Sequence, residues 1–302
     1  MCGIVGFIGC KPAAPLLLEG LAKLEYRGYD SAGIALVSAA GMEIHKAKGR
    51  LSVLSAQIDE GKKMTETAGI GHTRWATHGK PSDENSHPHR SASGKFAVVH
   101  NGIIENYAVI KKQLQDEGVE FLSETDTEVV AQLLDKYYTG DFFAAVRSAV
   151  AQLEGSYALG VLCADFPEEM IAVRNASPLI VGLSDEGNFI ASDIPAVLAH
   201  TRRILQLADH EMVRLTKDSA QVFDAHGMPV NKMETIVNWD VSSAEKGGYA
   251  HFMIKEIMEQ PQALSATISP RIDADGSIVL DGVHLTKKDL QQINRVYMMA
   301  CG

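Results

Sequence analysis

Residues 1–9 read MCGIVGFIG. Positions 3–9 form an apolar run punctuated by glycine, and the pattern predicts a buried strand. A cysteine stands directly behind the initiator methionine, where a small residue ordinarily lets the methionine be trimmed. Cys2 would then carry a thiol and a free α-amine on one residue, a nucleophile beside a base. A thiol of pKa about 8.5 is only a few per cent thiolate at neutral pH and needs activation. An α-amine of pKa about 7.7–8.0 can take that proton without any histidine, as the terminal-threonine enzymes do. Taken alone, a cysteine here has an ordinary use as a small hydrophobe.

Outward from this strand, Leu16, Leu17, Leu18, Leu21 and Leu24 recur at helical spacing in APLLLEGLAKLEY, 14–26, and predict a helix. GIALVSA and MEIHKAKG, with a short turn at 39–41, predict a hairpin, and AGIGHTR and KFAVVHNG predict two more strands. ENYAVIKKQLQDEG, DTEVVAQLLDKYY and DFFAAVRSAVAQL carry apolar residues at three- and four-residue steps and predict three helices. SYALGVLCAD, EMIAVRN, LIVGLSD, NFIASD and residues 204–223 return to short strands and turns. Strands, then helices, then strands imply a layered α+β domain with largely antiparallel sheets.

The stretch VSSAEKGGYA, 241–250, reads as a linker closing a domain at about residue 240. Beyond it HFMIKEIMEQPQALSATI predicts a helix up to its proline, and the chain ends on VYMMACG. That last run is strand-like without a partner, which predicts that the chain is a fragment of something longer.

With 302 residues and 46% hydrophobic content the chain has ample material for a core. A net charge of −10, with no basic run interleaved with aromatics, argues against nucleic acid and anionic lipid as partners. No stretch reaches the roughly 18 apolar residues needed to span a bilayer, and no basic segment precedes the apolar start, so a cytoplasmic address is expected. Four cysteines, with no close spacing except the 2/10 pair, suit a reducing compartment rather than a disulfide framework or a zinc site.

The glycine spacing GxxGxxG at 3, 6 and 9 does not fit a dinucleotide turn, and no Walker motif occurs. His87-Pro88-His89 lacks a third ligand at familiar spacing and reads as a pair of solvated loop histidines. Attack on an amide carbon builds charge on its oxygen and calls for fixed donors, which Asn101 and Gly102 could supply; an Asn-Gly hairpin turn is the ordinary alternative. Arg74, in GHTRWATHG, could grip a carboxylate through two parallel hydrogen bonds, or be a surface arginine. Asp126 stands where a helix N-cap is expected, yet could also hold an ammonium group with a free oxygen.

MCGIVG, LEYRGYDSAGIA, HTRWATHG, HNGIIEN and SETDTE, in this order, resemble the class II (N-terminal nucleophile) glutamine amidotransferases. Within that family, YRGYDS and HFMIKEIMEQP resemble the members that aminate fructose 6-phosphate; phosphoribosylpyrophosphate amidotransferases would show HRGQES and asparagine synthetases HRGPD. The resemblance implies a four-layer αββα sandwich over 1–240, with 241–302 the linker and truncated start of a sugar isomerase domain. It implies that Cys2 attacks the glutamine amide with its own amine as base, and that Asn101 and Gly102 stabilise the oxyanion. Arg74 and Asp126 would hold the α-carboxylate and α-ammonium of L-glutamine, and Trp75, Thr77 and His78 would lie in a loop closing over it. Arg27 would lie near the nucleophile. No cofactor or metal is implied; fructose 6-phosphate would bind only in the missing isomerase region, and the longer family member is expected to be a homo-oligomer. A non-catalytic, glutamine-sensing module is the alternative reading.

Overall fold

The opening run does become a buried strand, and its two faces explain the architecture. In the computed structural model, which describes residues 2–238, 248–280, 282–283 and 285–299, strand β1 spans Gly3–Gly9 and every residue in it is buried. Ile4 and Ile8 join a core between two sheets, whereas Val5 and Phe7 join a second core under helices. Two apolar faces on one strand require a layer on each side.

Residues 2–238 lie in one compact unit, Met1–Val241. Its first sheet contains β1, the hairpin β2 (Ser31–Ser38) and β3 (Gly41–Lys48), β4 (Ala68–Arg74), β9 (Ile180–Ser184), β10 (Gly187–Ala191), β11 (Arg203–Gln206) and β15 (Thr235–Ile236). Their order is β15-β11-β9-β10-β1-β4-β2-β3. The second sheet contains β5 (His89–Arg90), β6 (Phe96–Ile104), β7 (Gly155–Cys163), β8 (Met170–Asn175), β12 (Glu211–Leu215), β13 (Ala220–Phe223) and β14 (Pro229–Val230). It runs β14-β13-β12-β8-β7-β6-β5. The described pairings are antiparallel throughout.

Ile4, Ile8 and Ile70 of the first sheet meet Ala97, Val99 and Leu162 of the second in the layer between them. The outer face of the first sheet is covered by α1 (Ala13–Leu24) and α2 (Leu51–Gln57), and that of the second by α3 (Tyr107–Asp116), α4 (Glu128–Tyr137) and α5 (Phe142–Val150). The result is the expected four-layer αββα sandwich. Phe7 is fully buried, and its removal to alanine would cost about 3–5 kcal/mol. Helix α2 was not predicted: Leu51, Leu54 and Ile58 are buried at helical spacing, but seven residues give too short a period to read.

A second unit, Ser242–Gly302, contains α6 (Phe252–Ile268) and α7 (Lys287–Gln292), the latter closed by a capping box between Thr286 and Asp289. Helix α6 continues through Pro261 instead of stopping there. Proline removes one backbone donor, and the carbonyl of Ile257 that it would have bonded is left on a half-exposed turn where water can take it. Residues 241–247 of the expected linker lie outside the described residues, as do residues 300–302 of VYMMACG. Val296–Met299 form no strand and are exposed, since an isolated strand has no neighbour for its donors.

Candidate active site

The side-chain period of two that builds the inter-sheet core also builds the site at its end. Cys2 continues the face of Ile4 and Ile8; His72 and Arg74 continue that of Ile70; Asn101 continues that of Ala97 and Val99. Where the apolar layer stops, these polar side chains come together. The pairing of Gly3 with Thr73 brings the start of β1 beside the end of β4.

The Cys2 sulfur accepts the N–H of Trp75 at 3.1 Å. Burial pushes its thiol above the ordinary value and outweighs the Trp75 N–H and the Arg74 charge, which act the other way; Asp30 adds to the rise. The thiol therefore depends on a base more than an exposed one does. Asn101 Nδ2 donates to the Cys2 carbonyl at 3.0 Å, and its Oδ1 lies 3.0 Å from His72 Nε2. Asn101 and Gly102 are inside β6, opposite Ala158 and Tyr157, so the hairpin-turn reading of this dipeptide does not apply. Gly102 has φ +128 and a β-carbon there would lie 2.0 Å from the Ser156 carbonyl oxygen. Only glycine keeps the chain in register at that point.

Arg74 is 3% exposed rather than a surface residue. Its Nη2 donates to the carbonyls of His78 and Gly79, while Nη1 is buried without a hydrogen-bond partner. Asp126 is not the N-cap of α4; that position is Thr127, without a side-chain cap bond. One Asp126 oxygen, Oδ2, accepts the Ile104 N–H at 2.9 Å, and Oδ1 lies outside that bond. Trp75, Thr77 and His78 sit in the irregular segment after β4. The Trp75 ring is half exposed and edge-on to Tyr29 at 5.3 Å; the His78 ring is edge-on to Tyr107 at 5.3 Å. Thr77 Oγ1 lies 3.3 Å from His78 Nδ1. Arg27, in a 3-10 turn, pairs with Asp193 and donates to the Tyr26 hydroxyl at 2.9 Å.

His87 and His89 correct the expectation of solvated loop histidines: they are 5% and 3% exposed. The His87 ring stacks on His72 at 4.1 Å, with His89 at 4.8 Å. Their polar atoms are met internally, His87 Nδ1 by the His100 N–H and His89 Nε2 by Thr125 Oγ1. Burial lowers all four pKa values in this cluster, that of His72 to about 3. Among the described residues no group of three or more His, Cys, Asp or Glu could hold a metal ion.

Four residues were missed from sequence. Asp30 accepts the Ala76 N–H and the Ser31 hydroxyl, tying the loop base to the YRGYDS turn. Gly28 makes that approach possible, because a β-carbon there would lie 2.8 Å from the Arg74 carbonyl carbon. His72 and His100 were readable only as the alternating partners of Ile70 and the neighbour of Asn101. Among the described residues no helix is long and apolar enough to cross a membrane.

The chain is 58% identical over 302 residues to the glutamine–fructose-6-phosphate aminotransferase (isomerizing) of Caldanaerobacter subterraneus subsp. tengcongensis, and 53% identical to that of Clostridium tetani. It is covered completely in both cases but spans only 50% of the length of either relative. Among solved structures, the glutamine phosphoribosylpyrophosphate amidotransferase from B. subtilis matches 74% of this chain and 49% of its own, with TM-score 0.66 at 26% identity. The sequence pattern described as "Glutamine amidotransferase domain" matches residues 58–252. That stretch holds β4, the loop after it, β6 and Asp126, and this chain belongs to the glutamine amidotransferase domain family.

Proposed function

We propose that this chain is the glutaminase half of a glutamine–fructose-6-phosphate aminotransferase, hydrolysing L-glutamine to glutamate and ammonia through a γ-glutamyl thioester on Cys2. The observation that carries the reading is one juxtaposition. A half-buried thiol stands beside the Asn101 amide and the Trp75 N–H, at the end of the strand whose Arg74 has a buried nitrogen lacking a hydrogen-bond partner; the third group the reading uses is Asp126, whose Oδ1 lies outside the bond to Ile104. Free glutamine offers a carboxylate, an ammonium and a carboxamide, one complement for each.

With Met1 trimmed, the Cys2 α-amine takes the thiol proton and sulfur attacks the glutamine Cδ. The C=O π pair moves to oxygen, where Asn101 Nδ2 and the Gly102 N–H receive the charge. The α-ammonium returns its proton to the leaving nitrogen, the C–N bond breaks, and ammonia departs. Water then attacks the thioester with the amine again as base, releasing glutamate and the thiol. Arg74 and Asp126 hold the two α-substituents, while Trp75, Thr77 and His78 close over the substrate and keep water out until ammonia has left. Arg27, held by Asp193, supports the Glu25–Gly28 turn beside them. This acyl transfer requires no cofactor.

Residues 1–240 would perform this step, and 241–302 would be a linker and the first part of an isomerase domain. The ammonia would go to fructose 6-phosphate, giving glucosamine 6-phosphate in a longer protein. The test is ammonia release by the chain and by Cys2→Ala, together with intact mass before and after an electrophilic glutamine analogue. A mature chain beginning at Cys2 that gains one adduct, and loses activity in the alanine variant, is expected. Equal ammonia release by both proteins would reject the reading.

A further inference from the structure

We propose that His72 is a positioning residue, a fixed hydrogen-bond donor that sets the orientation and place of the Asn101 amide at the reacting thiol. The inference rests on the glutaminase reading above and adds a residue to it.

An asparagine side chain is nearly symmetric in shape, so its partners decide which end faces the reaction. His72 Nε2 lies 3.0 Å from the His100 carbonyl oxygen and 3.0 Å from one end of the Asn101 amide. A carbonyl oxygen only accepts, so Nε2 must carry the ring proton, and the amide atom that shares it must be oxygen. Nδ2 is thereby turned toward Cys2, where it donates to the backbone carbonyl at 3.0 Å and keeps a second hydrogen for a developing oxyanion.

Two features fix the tautomer. His72 is fully buried and its Nδ1 has no hydrogen-bond partner. That bare nitrogen belongs to a ring stacked flat on His87 at 4.1 Å. A proton on Nδ1 would leave a buried donor unmet, and also a lone pair on Nε2 facing two oxygens. The contact crosses the sandwich, from β4 in one sheet to β6 in the other, so the ring ties the loop-bearing strand to the strand with the oxyanion donors. Neither strand alone places the Asn101 amide.

The test compares His72→Gln, whose amide nitrogen can stand in for Nε2–H, with His72→Met, which fills similar space without a donor. For His72→Met the turnover of glutamine should fall about 10- to 100-fold, with KM changed less than about threefold. His72→Gln should recover most of the loss. In an Asn101→Ala background, His72→Met should have no further effect, because the amide it positions is gone. On the unmodified chain, ¹⁵N NMR of the ring should find the proton on Nε2 at pH 7, a readout independent of whether the variants fold. A proton on Nδ1, equal losses for Gln and Met, or full additivity with Asn101→Ala would overturn the proposal. Failure of the underlying reading is separate: there Cys2→Ala would release ammonia as fast as the unmodified chain.

Discussion

Gly102→Ala isolates what the sheet register contributes to the site. Two penalties combine. The backbone at φ +128 is one that side-chain-bearing residues rarely adopt, worth about 1–3 kcal/mol. The new β-carbon would also sit 2.0 Å from the Ser156 carbonyl oxygen, where ordinary contact begins near 3.4 Å. That oxygen belongs to β7, which is itself held between β6 and β8, so relief requires backbone movement of more than about 1 Å. Such overpacking adds about 1–3 kcal/mol or more, and a displacement of this size at the proposed oxyanion donor costs about 100-fold in turnover. Gly118→Ala is the control: its φ is also positive, at +91, but nothing lies within 4 Å of the added carbon. Subtracting the two removes the conformational term. Urea unfolding should therefore find Gly102→Ala less stable than Gly118→Ala by about 1–3 kcal/mol, or roughly 2–12 °C in Tm. Ammonia release should fall about 100-fold in the first and stay unchanged in the second. Equal stabilities, with turnover of Gly102→Ala within threefold of the unmodified chain, would refute the argument.

Other outcomes follow from the same geometry. His72, His87, His89 and His100 have pKa values lowered by burial, so the unfolded chain binds more protons below about pH 6.5. Their contribution to stability is complete above that pH and is lost as pH falls, at up to about 1.4 kcal/mol per pH unit per site; a urea midpoint unchanged between pH 7 and 5.5 would contradict this. Asp126→Asn keeps an acceptor for the Ile104 N–H but loses the charge, and should raise KM for glutamine about 10- to 100-fold with little change in Tm. Because burial raises the Cys2 thiol, its alkylation rate in a chain that retains Met1 should still climb above about pH 8.5, as followed by peptide mapping. Met253, Ile254, Ile257 and Met258 of α6 are exposed, and a chain ending at residue 241 should scatter less light than the whole one.

Much of this was legible in the sequence because it depends on local period. The continuous apolar run at 3–9 marked a buried strand, and the layer on each side of it came with the fold. Leu17, Leu21 and Leu24 marked the helix that covers one of those layers, and the order of strands and helices gave the layered class. The site residues were legible as types, since a terminal thiol, an Asn-Gly pair, an arginine and an aspartate each suggested a chemistry. Their ordinary alternatives survived until the fold was known. A turn and a strand use Asn101-Gly102 equally well on paper, and only pairing with Ala158 and Tyr157 decides between them.

The repeat of buried faces can be read along the chain, because alternation and helical spacing are properties of a few neighbouring residues. Which polar ends meet is set by long-range packing. His72 and Asn101 are 29 positions apart and on different sheets, and His87 and His89 were indistinguishable from solvated loop residues until the sandwich closed over them. Partner, tautomer and burial depend on atoms brought together by long-range packing, and no local period carries that information.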